Sequence, residues 1–232
     1  MRINGEDIRR YGAKQLTVDV QPPKTMAGYE LFPKALLPVE YETDVPLGSM
    51  TVTIYFHERN RAALQRTMSS FTEQFTTSCI IDEIKGFKGK FKAFPTDGKY
   101  TKTLKLEKKI LEISFDGYFF DEEKEVVFDA KTSGKLFAEG SRKTPCIIEV
   151  TAKSNLTEYV VTVNGEAYTV ETLAAGKTVI IDGIKGTVTL DEENAFPVVD
   201  LWQFPRLRTG ENALTFSTNK AKVKIKYVPM WL

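Results

Sequence analysis

Apolar and polar residues alternate with a period of two in several stretches, which predicts strands with one face on a core and the other in water. In "MTVTIYF" the apolar face consists of Met50, Val52, Ile54 and Phe56. In "AKVKIKY" the apolar residues Val223, Ile225 and Tyr227 alternate with Lys222, Lys224 and Lys226. We interpret the second stretch as the closing strand of a sheet, with its lysine face turned outward to guard an edge.

One stretch, "ERNRAALQRTMSSFTEQF", follows a helical period instead. Its apolar residues form a single stripe made of Leu64, Met68, Phe71 and Phe75. This spacing predicts one amphipathic helix over about residues 59–75. Because the apolar stripe is narrow and the surrounding sequence is rich in strands, we expect the helix to lie against a sheet.

The second half of the chain predicts a β-sandwich. In "YVVTVNGEAYTV" two β-rich runs flank Asn164 and Gly165, a pair that accepts the positive φ angles of a two-residue hairpin turn. Further turn signals recur every 8–12 residues or so, as they do in sandwiches. At 232 residues the chain is long enough for two domains. The polar stretch around "DEEKE" places the boundary near residue 128, which gives domains of residues 1–128 and 129–232.

The composition is that of a globular protein with little charge bias. Hydrophobic residues make up 42% and charged residues 27%, and the formal net charge is +1. This balance argues against a protein that grips nucleic acid, because neutralising phosphates needs an excess of Lys and Arg. The charged start of the sequence and the lack of a long apolar run predict a soluble protein made in a cytoplasm, with no membrane association.

The sequence offers little reactive chemistry. His57 is the single histidine, and neither Ser78 nor Cys79 stands in a catalytic motif with it, so we expect His57 to have no catalytic duty. Cys79 and Cys146 each open an apolar run and are expected to be buried thiols, with a disulfide as the alternative. This set does not have the spacing of metal ligands. We therefore expect neither an enzyme nor a cofactor or metal site.

Two stretches are candidates for binding. In "KGFKGKFKAF" lysines alternate with aromatic and small residues, which predicts an edge strand with an outward lysine face. We expect this stretch to lie near a subunit contact formed by Phe87, Lys88, Lys90, Phe91 and Lys92. Trp202, in "DLWQFP", is a candidate for stacking on a sugar, although its flanking residues Leu201 and Phe204 favour a place in a core or an interface.

The end of the chain resembles the C-terminal signature of the distal tail proteins of long-tailed, non-contractile phages. The stretches that carry the resemblance are "FPRLRTGENALTF" and "VKIKYVPMWL". The matching positions are Phe204, Pro205, Leu207, Gly210, Asn212, Tyr227, Pro229 and Trp231. Thr209 departs from the family, which commonly has proline there. Because loose termini concentrate small polar residues, the final aromatic residue also predicts an end that is pinned against a packed surface.

The resemblance implies a fold and a role. The fold would be mainly all-β, with an N-terminal β-sandwich that carries the helix and a galectin-like C-terminal β-sandwich. The role would be structural: a hexameric ring in the virion tail tip that joins the tail tube protein to tail-associated, tail-tip or baseplate proteins. DNA would pass through its channel without specific binding. A receptor-binding protein is a further implied partner, and the alternative function is recognition of a host cell-wall saccharide.

Overall fold

The structure is a computed structural model that describes residues 1–23, 28–33, 36–41, 47–100 and 107–231. These residues form two compact units, residues 1–120 and residues 121–231. Almost all regular structure in both units is β-strand, as the alternating patterns predict. We refer to them as unit 1 and unit 2.

Unit 1 combines one antiparallel sheet with a helix. Its strands are β1 Arg2–Ile3, β2 Glu6–Asp7, β3 Ala13–Gln21, β4 Gly28–Glu30, β5 Val39–Tyr41, β6 Gly48–His57, β7 Cys79–Asp82, β8 Lys90–Tyr100 and β9 Lys108–Phe120. A 3-10 helix covers Ile8–Tyr11, and the α-helix α1 covers Arg61–Glu73. The strand order in the sheet is β2-β1-β7-β8-β9-β6-β3, and β4 pairs with β5 as a separate two-stranded ribbon.

Helix α1 packs on one face of this sheet, as its apolar stripe predicts. It begins after Asn60, whose side chain accepts a hydrogen bond from the backbone N–H of Ala63 at 2.9 Å. The buried residues of the helix are Leu64, Met68 and Phe71. The Phe71 ring meets the Phe56 ring of β6 edge-to-face, with 5.0 Å between centroids. The helix is two residues shorter at each end than the predicted range of 59–75.

Unit 2 is a sandwich of two antiparallel sheets. Its strands are β10 Lys124–Asp129, β11 Ser133–Ala138, β12 Thr144–Ala152, β13 Leu156–Val163, β14 Glu166–Leu173, β15 Thr178–Asp182, β16 Thr187–Leu190, β17 Glu193–Asn194, β18 Val199–Leu201, β19 Arg206–Leu207, β20 Gly210–Phe216, β21 Ala221–Tyr227 and β22 Met230–Trp231. A 3-10 helix covers Phe196–Val198. One sheet has the order β10-β21-β12-β15-β16-β17, and the other has the order β11-β20-β13-β14-β18. Apolar side chains from both sheets form one shared core.

The predicted hairpin at Asn164 and Gly165 is confirmed. Strands β13 and β14 are antiparallel and pair Val163 with Glu166, which leaves a two-residue loop. Asn164 has a φ of 51° and Gly165 has a φ of 92°. Both values lie in the left-handed region that this turn requires, and asparagine and glycine tolerate it best.

The division between the units falls earlier than the sequence suggests. The polar residues favour a boundary near 128, whereas the structure divides the chain between Phe120 and Asp121. Strand β10 follows the division and pairs along its whole length with β21, from Lys124 opposite Tyr227 to Asp129 opposite Lys222. The polar stretch before residue 128 therefore leads into a strand of unit 2.

The lysine-bearing strand β21 is not an edge strand, which corrects our interpretation. It lies between β10 and β12. Two of its outward lysines, Lys224 and Lys226, are paired with acids on the neighbouring strands. Lys226 lies 2.6 Å from Glu149, and Lys224 lies 3.5 Å from both Glu149 and Glu125. Opposite charges on adjacent strands stabilise pairing modestly, so these lysines help to hold the middle of the sheet.

Candidate interaction surfaces

A fully buried asparagine organises the signature region of unit 2. The Asn212 side-chain oxygen accepts hydrogen bonds from the backbone N–H of Arg208 at 2.8 Å and from the side-chain amide of Asn164 at 2.7 Å. Its own amide donates to the carbonyls of Arg208 at 2.8 Å and Gly210 at 2.9 Å. One side chain thus closes the turn before β20 and ties it to the β13–β14 hairpin.

The other early signature residues support the same loop. Leu207 is fully buried, and Phe204 packs against the core of unit 2. The carbonyl of Pro205 accepts a hydrogen bond from the backbone N–H of Cys146 at 3.0 Å. Gly210 has a φ of 86°, a conformation that residues with a side chain rarely adopt. These signature residues therefore hold the loop in place. None of them presents a reactive group to solvent.

The end of the chain is held by hydrogen bonds as well as by packing. Tyr227 is buried and donates its hydroxyl hydrogen to the carbonyl of Phe137 at 3.2 Å. The carbonyl of Pro229 accepts from the backbone N–H of Asp121 at 3.2 Å. Trp231 donates its indole N–H to the carboxylate of Asp121 at 2.9 Å, yet 37% of it is exposed. The final tryptophan is thus fastened by a polar contact and is only partly covered. Leu232 lies outside the described residues.

Trp202 is almost entirely exposed, at 95%. It lies in the loop between β18 and β19, so the expectation of a core position is wrong. Its neighbour Phe204 turns inward, and the Phe204 ring meets the ring of Phe196 with 6.2 Å between centroids. Phe196 is itself 46% exposed. The loop therefore offers a free indole beside a partly exposed aromatic pair.

The lysine-rich stretch near residue 90 has a different position from the one we expected. Phe91 is buried, as the alternation predicts, and Phe87 is stacked on Phe119 with 5.8 Å between ring centroids. At Phe91 and Lys92, however, strand β8 pairs with β7 on one side and β9 on the other. The edge-strand interpretation is therefore wrong here. Lys88 and Lys90 are exposed, and a role for this stretch in a subunit contact stays a prediction.

The structure assembles no reactive constellation among the residues that it describes. His57 is exposed at the end of β6. No group of three or more His, Cys, Asp or Glu residues in the described part of the chain is arranged to hold a metal ion. Cys79 and Cys146 are both free thiols and both buried, which confirms the interpretation of buried thiols over that of a disulfide. Burial raises the pKa of Cys79 to about 11 and that of Cys146 to about 12.

The two thiols give a direct test of the described packing. A thiol reacts as its thiolate, and both a raised pKa and burial suppress that form. We expect a colorimetric disulfide reagent at pH 8 to label neither cysteine of the native protein and to label both after unfolding in guanidinium chloride. Rapid labelling of the native protein would contradict the buried positions.

Residues 139–231 match the family described as the C-terminal domain of the siphovirus-type tail component. This stretch lies within unit 2 and is similar to that domain. The resemblance to phage distal tail proteins inferred from the signature is thereby confirmed over this part of the chain. No curated protein matches the chain by sequence.

The fold of the whole chain is also similar to that of a solved phage protein. The Dit protein of phage SPP1 aligns with a TM-score of 0.75 at 12% identity, over 100% of this chain and 98% of that chain. Its crystal structure is described as a paradigm of the hub adsorption apparatus in phages that infect Gram-positive bacteria. A chain of the phage p2 baseplate, in its activated conformation with Sr, aligns with a TM-score of 0.46 at 12% identity, over 95% of this chain and 92% of that chain.

Helices long and apolar enough to cross a bilayer do not occur in the described ranges of this chain.

Proposed function

We propose that this protein is a structural component of a phage tail tip, a distal tail protein whose copies form a hexameric ring. The observation that carries the proposal is the match of residues 139–231 to the tail component family. The shared fold with the SPP1 Dit protein over the whole chain supports it, because the region before residue 139 then has a tail-protein fold as well.

In this proposal the ring is the hub that joins the tail tube protein to tail-tip or baseplate proteins, including tail-associated and receptor-binding proteins, in the virion. A ring needs one surface on each subunit that fits a different surface on the next, so the subunit can work without a reactive site. The near-neutral charge of the chain suits a channel that DNA crosses without being held, since adhesion to phosphate needs an excess of basic residues. The protein would act by contact and not as an enzyme.

Assembly of the purified protein tests this role. We expect light scattering and negative-stain images to show six-fold rings, either for the protein alone or after addition of tail tube and tail-tip proteins from the same phage. A strict monomer at every concentration, with and without those partners, would contradict the proposal.

Trp202 favours a second function for unit 2, recognition of a cell-wall saccharide. An exposed indole can stack on the apolar face of a sugar, and this one is 95% exposed. The domain would then add receptor recognition to the structural role.

The Trp202→Ala variant separates the two functions. Because the indole is exposed, we expect the variant to keep the unfolding free energy of the parent protein within about 0.5 kcal/mol. If the saccharide is a ligand, calorimetric titration with host wall polysaccharide should give a saturable signal that the variant loses. A scaffold without this function should give no saturable signal for either protein.

A further inference from the structure

The ribbon of β4 and β5 in unit 1 exposes an unusual number of large apolar side chains. We call its described residues, 28–33 and 36–41, the apolar arm. The exposed residues are Leu31 at 61%, Phe32 at 50%, Leu36 at 98%, Leu37 at 78% and Val39 at 54%. Single exposed apolar residues are ordinary, but several large ones close together in sequence are typical of a surface that another molecule covers.

The same unit contains an apolar groove. A cavity of about 330 Å³ opens between the C-terminal end of α1 and strands β8 and β9. Its lining includes Thr72, Phe75, Pro95, Tyr100, Leu111 and Ile113. Its size falls at the lower end of the ~300–1,000 Å³ of pockets that hold small organic groups, which is enough for apolar side chains of a protein segment.

One charged side chain, Asp97, lies in the lining of the groove, and its carboxylate accepts a hydrogen bond from the backbone N–H of Gly98 at 2.8 Å. The ammonium group of Lys109 lies 5.6 Å from the centre of the Tyr100 ring, which is also in the lining. The rest of the lining is uncharged, so the groove suits an occupant that is mainly apolar.

The arm and the groove involve different strands of the sheet. The arm is part of the connection between β3, which ends the sheet, and β6. The groove is lined by β8 and β9, on the part of β8 that extends past its pairing with β7, which stops at Ala93. Beyond Ala93, β8 has β9 as its partner and no other among the described strands. Two different surfaces on one subunit are what a head-to-tail contact needs.

The local backbone favours insertion of side chains over addition of a strand. Strand β8 carries Pro95 and an irregular register between Pro95 and Asp97. Proline and bulges are devices that prevent strand pairing at an exposed edge. An incoming segment would thus contact the groove through its side chains.

We propose that the apolar arm of one copy occupies the groove of the next copy. This inference rests on the proposed ring and names the contact that builds it. Each copy then donates one arm and receives one, so the contact repeats around the assembly until the ring closes. The exposed leucines of the arm and the apolar lining of the groove lose their contact with water together, which stabilises the contact in proportion to the apolar area buried.

Chemical cross-linking of assembled protein tests the contact directly. Because both native cysteines are buried and free, cysteines introduced at exposed positions can be joined selectively. We expect the double variant Leu36→Cys with Tyr100→Cys to give a ladder of cross-linked copies with a short bismaleimide. The matched control is Leu36→Cys with Leu16→Cys, because Leu16 and Tyr100 are each 45% exposed but Leu16 lies on β3. A ladder of equal strength from the control, or none from the first variant within intact rings, would overturn the proposal.

Mixing two defective variants gives an independent test. The double variant Leu36→Asp with Leu37→Asp damages the arm, and Thr72→Arg fills the groove. We expect each to raise the concentration needed for assembly at least tenfold and to be monomeric where the parent protein assembles. Mixed together, they retain one intact arm and one intact groove, so sedimentation should show a 1:1 dimer and no ring. Unchanged assembly of both variants would refute the contact.

Assembly of the parent protein distinguishes failure of this contact from failure of the ring. If the parent forms rings and the arm and groove variants form them equally well, the ring proposal stands and this contact is wrong. If the parent protein forms no ring under any condition, with or without its partners, the ring proposal itself fails.

Discussion

Replacing Asn212 with alanine is expected to destabilise unit 2 by about 3 kcal/mol or more. The side chain is fully buried and makes four hydrogen bonds of 2.9 Å or less. Its loss leaves the backbone N–H of Arg208, the side-chain amide of Asn164 and two backbone carbonyls without this partner. These groups are partly buried, and a buried polar group without a partner costs about 1–3 kcal/mol.

Urea unfolding followed by tryptophan fluorescence measures this change. Both tryptophans of the chain, Trp202 and Trp231, are in unit 2, so their emission reports on that unit. The control is Asn194→Ala, because the Asn194 side chain accepts one exposed hydrogen bond, from the backbone N–H of Phe196 at 3.2 Å. We expect the control to cost less than about 1 kcal/mol. Equal losses for both variants would show that Asn212 does not organise the loop.

Replacing Gly117 with alanine is expected to destabilise unit 1 by about 3 kcal/mol or more. Gly117 lies in β9, and a methyl group there would overlap the backbone carbonyl oxygen of Lys92 and lie 2.6 Å from the ring of Phe91. Strand β8 would have to move, although it is held between β7 and β9 at that point. Overpacking of this kind is costly because the neighbouring backbone cannot yield cheaply.

The matched control for Gly117 lies in the same pair of strands. Gly98, in β8, has its nearest neighbour 3.9 Å from where a methyl group would stand, which is an ordinary contact. We therefore expect Gly98→Ala to change the unfolding free energy by less than about 1 kcal/mol. Far-UV circular dichroism in urea measures both variants, and tryptophan fluorescence shows separately that unit 2 is unaffected. Native-like stability of Gly117→Ala would contradict the close approach of β8 and β9.

Local patterns were enough to predict the elements that depend on neighbouring residues in sequence. The stripe of Leu64, Met68 and Phe71 locates the helix because three- and four-residue spacing places side chains on one helical face. Asn164 and Gly165 locate a hairpin because the turn needs positive φ at two successive positions. In both cases the information lies within a few residues.

Features set by distant parts of the chain were not predictable in this way. An outward lysine face looks the same on an edge strand and on a central one, and only the partners of β8 and β21 decide between them. Strand β10 belongs to unit 2 because it pairs with β21, about a hundred residues later in the chain. Local polarity carries no information on that partner, so it favours a boundary that is too late. Trp202 has apolar neighbours in sequence, but the loop turns it outward while Phe204 turns inward.

The pairing of β10 with β21 has a consequence for synthesis on the ribosome. The first strand of unit 2 and its partner, which is also a central strand of the sheet, are joined by nearly the whole of the unit. Domains generally fold as units and in order during translation, so residues 1–120 can fold while later codons are still being read. Unit 2 must wait until β21 has left the exit tunnel. A nascent chain stalled before β21 should therefore carry a protease-resistant first unit and a protease-sensitive second one.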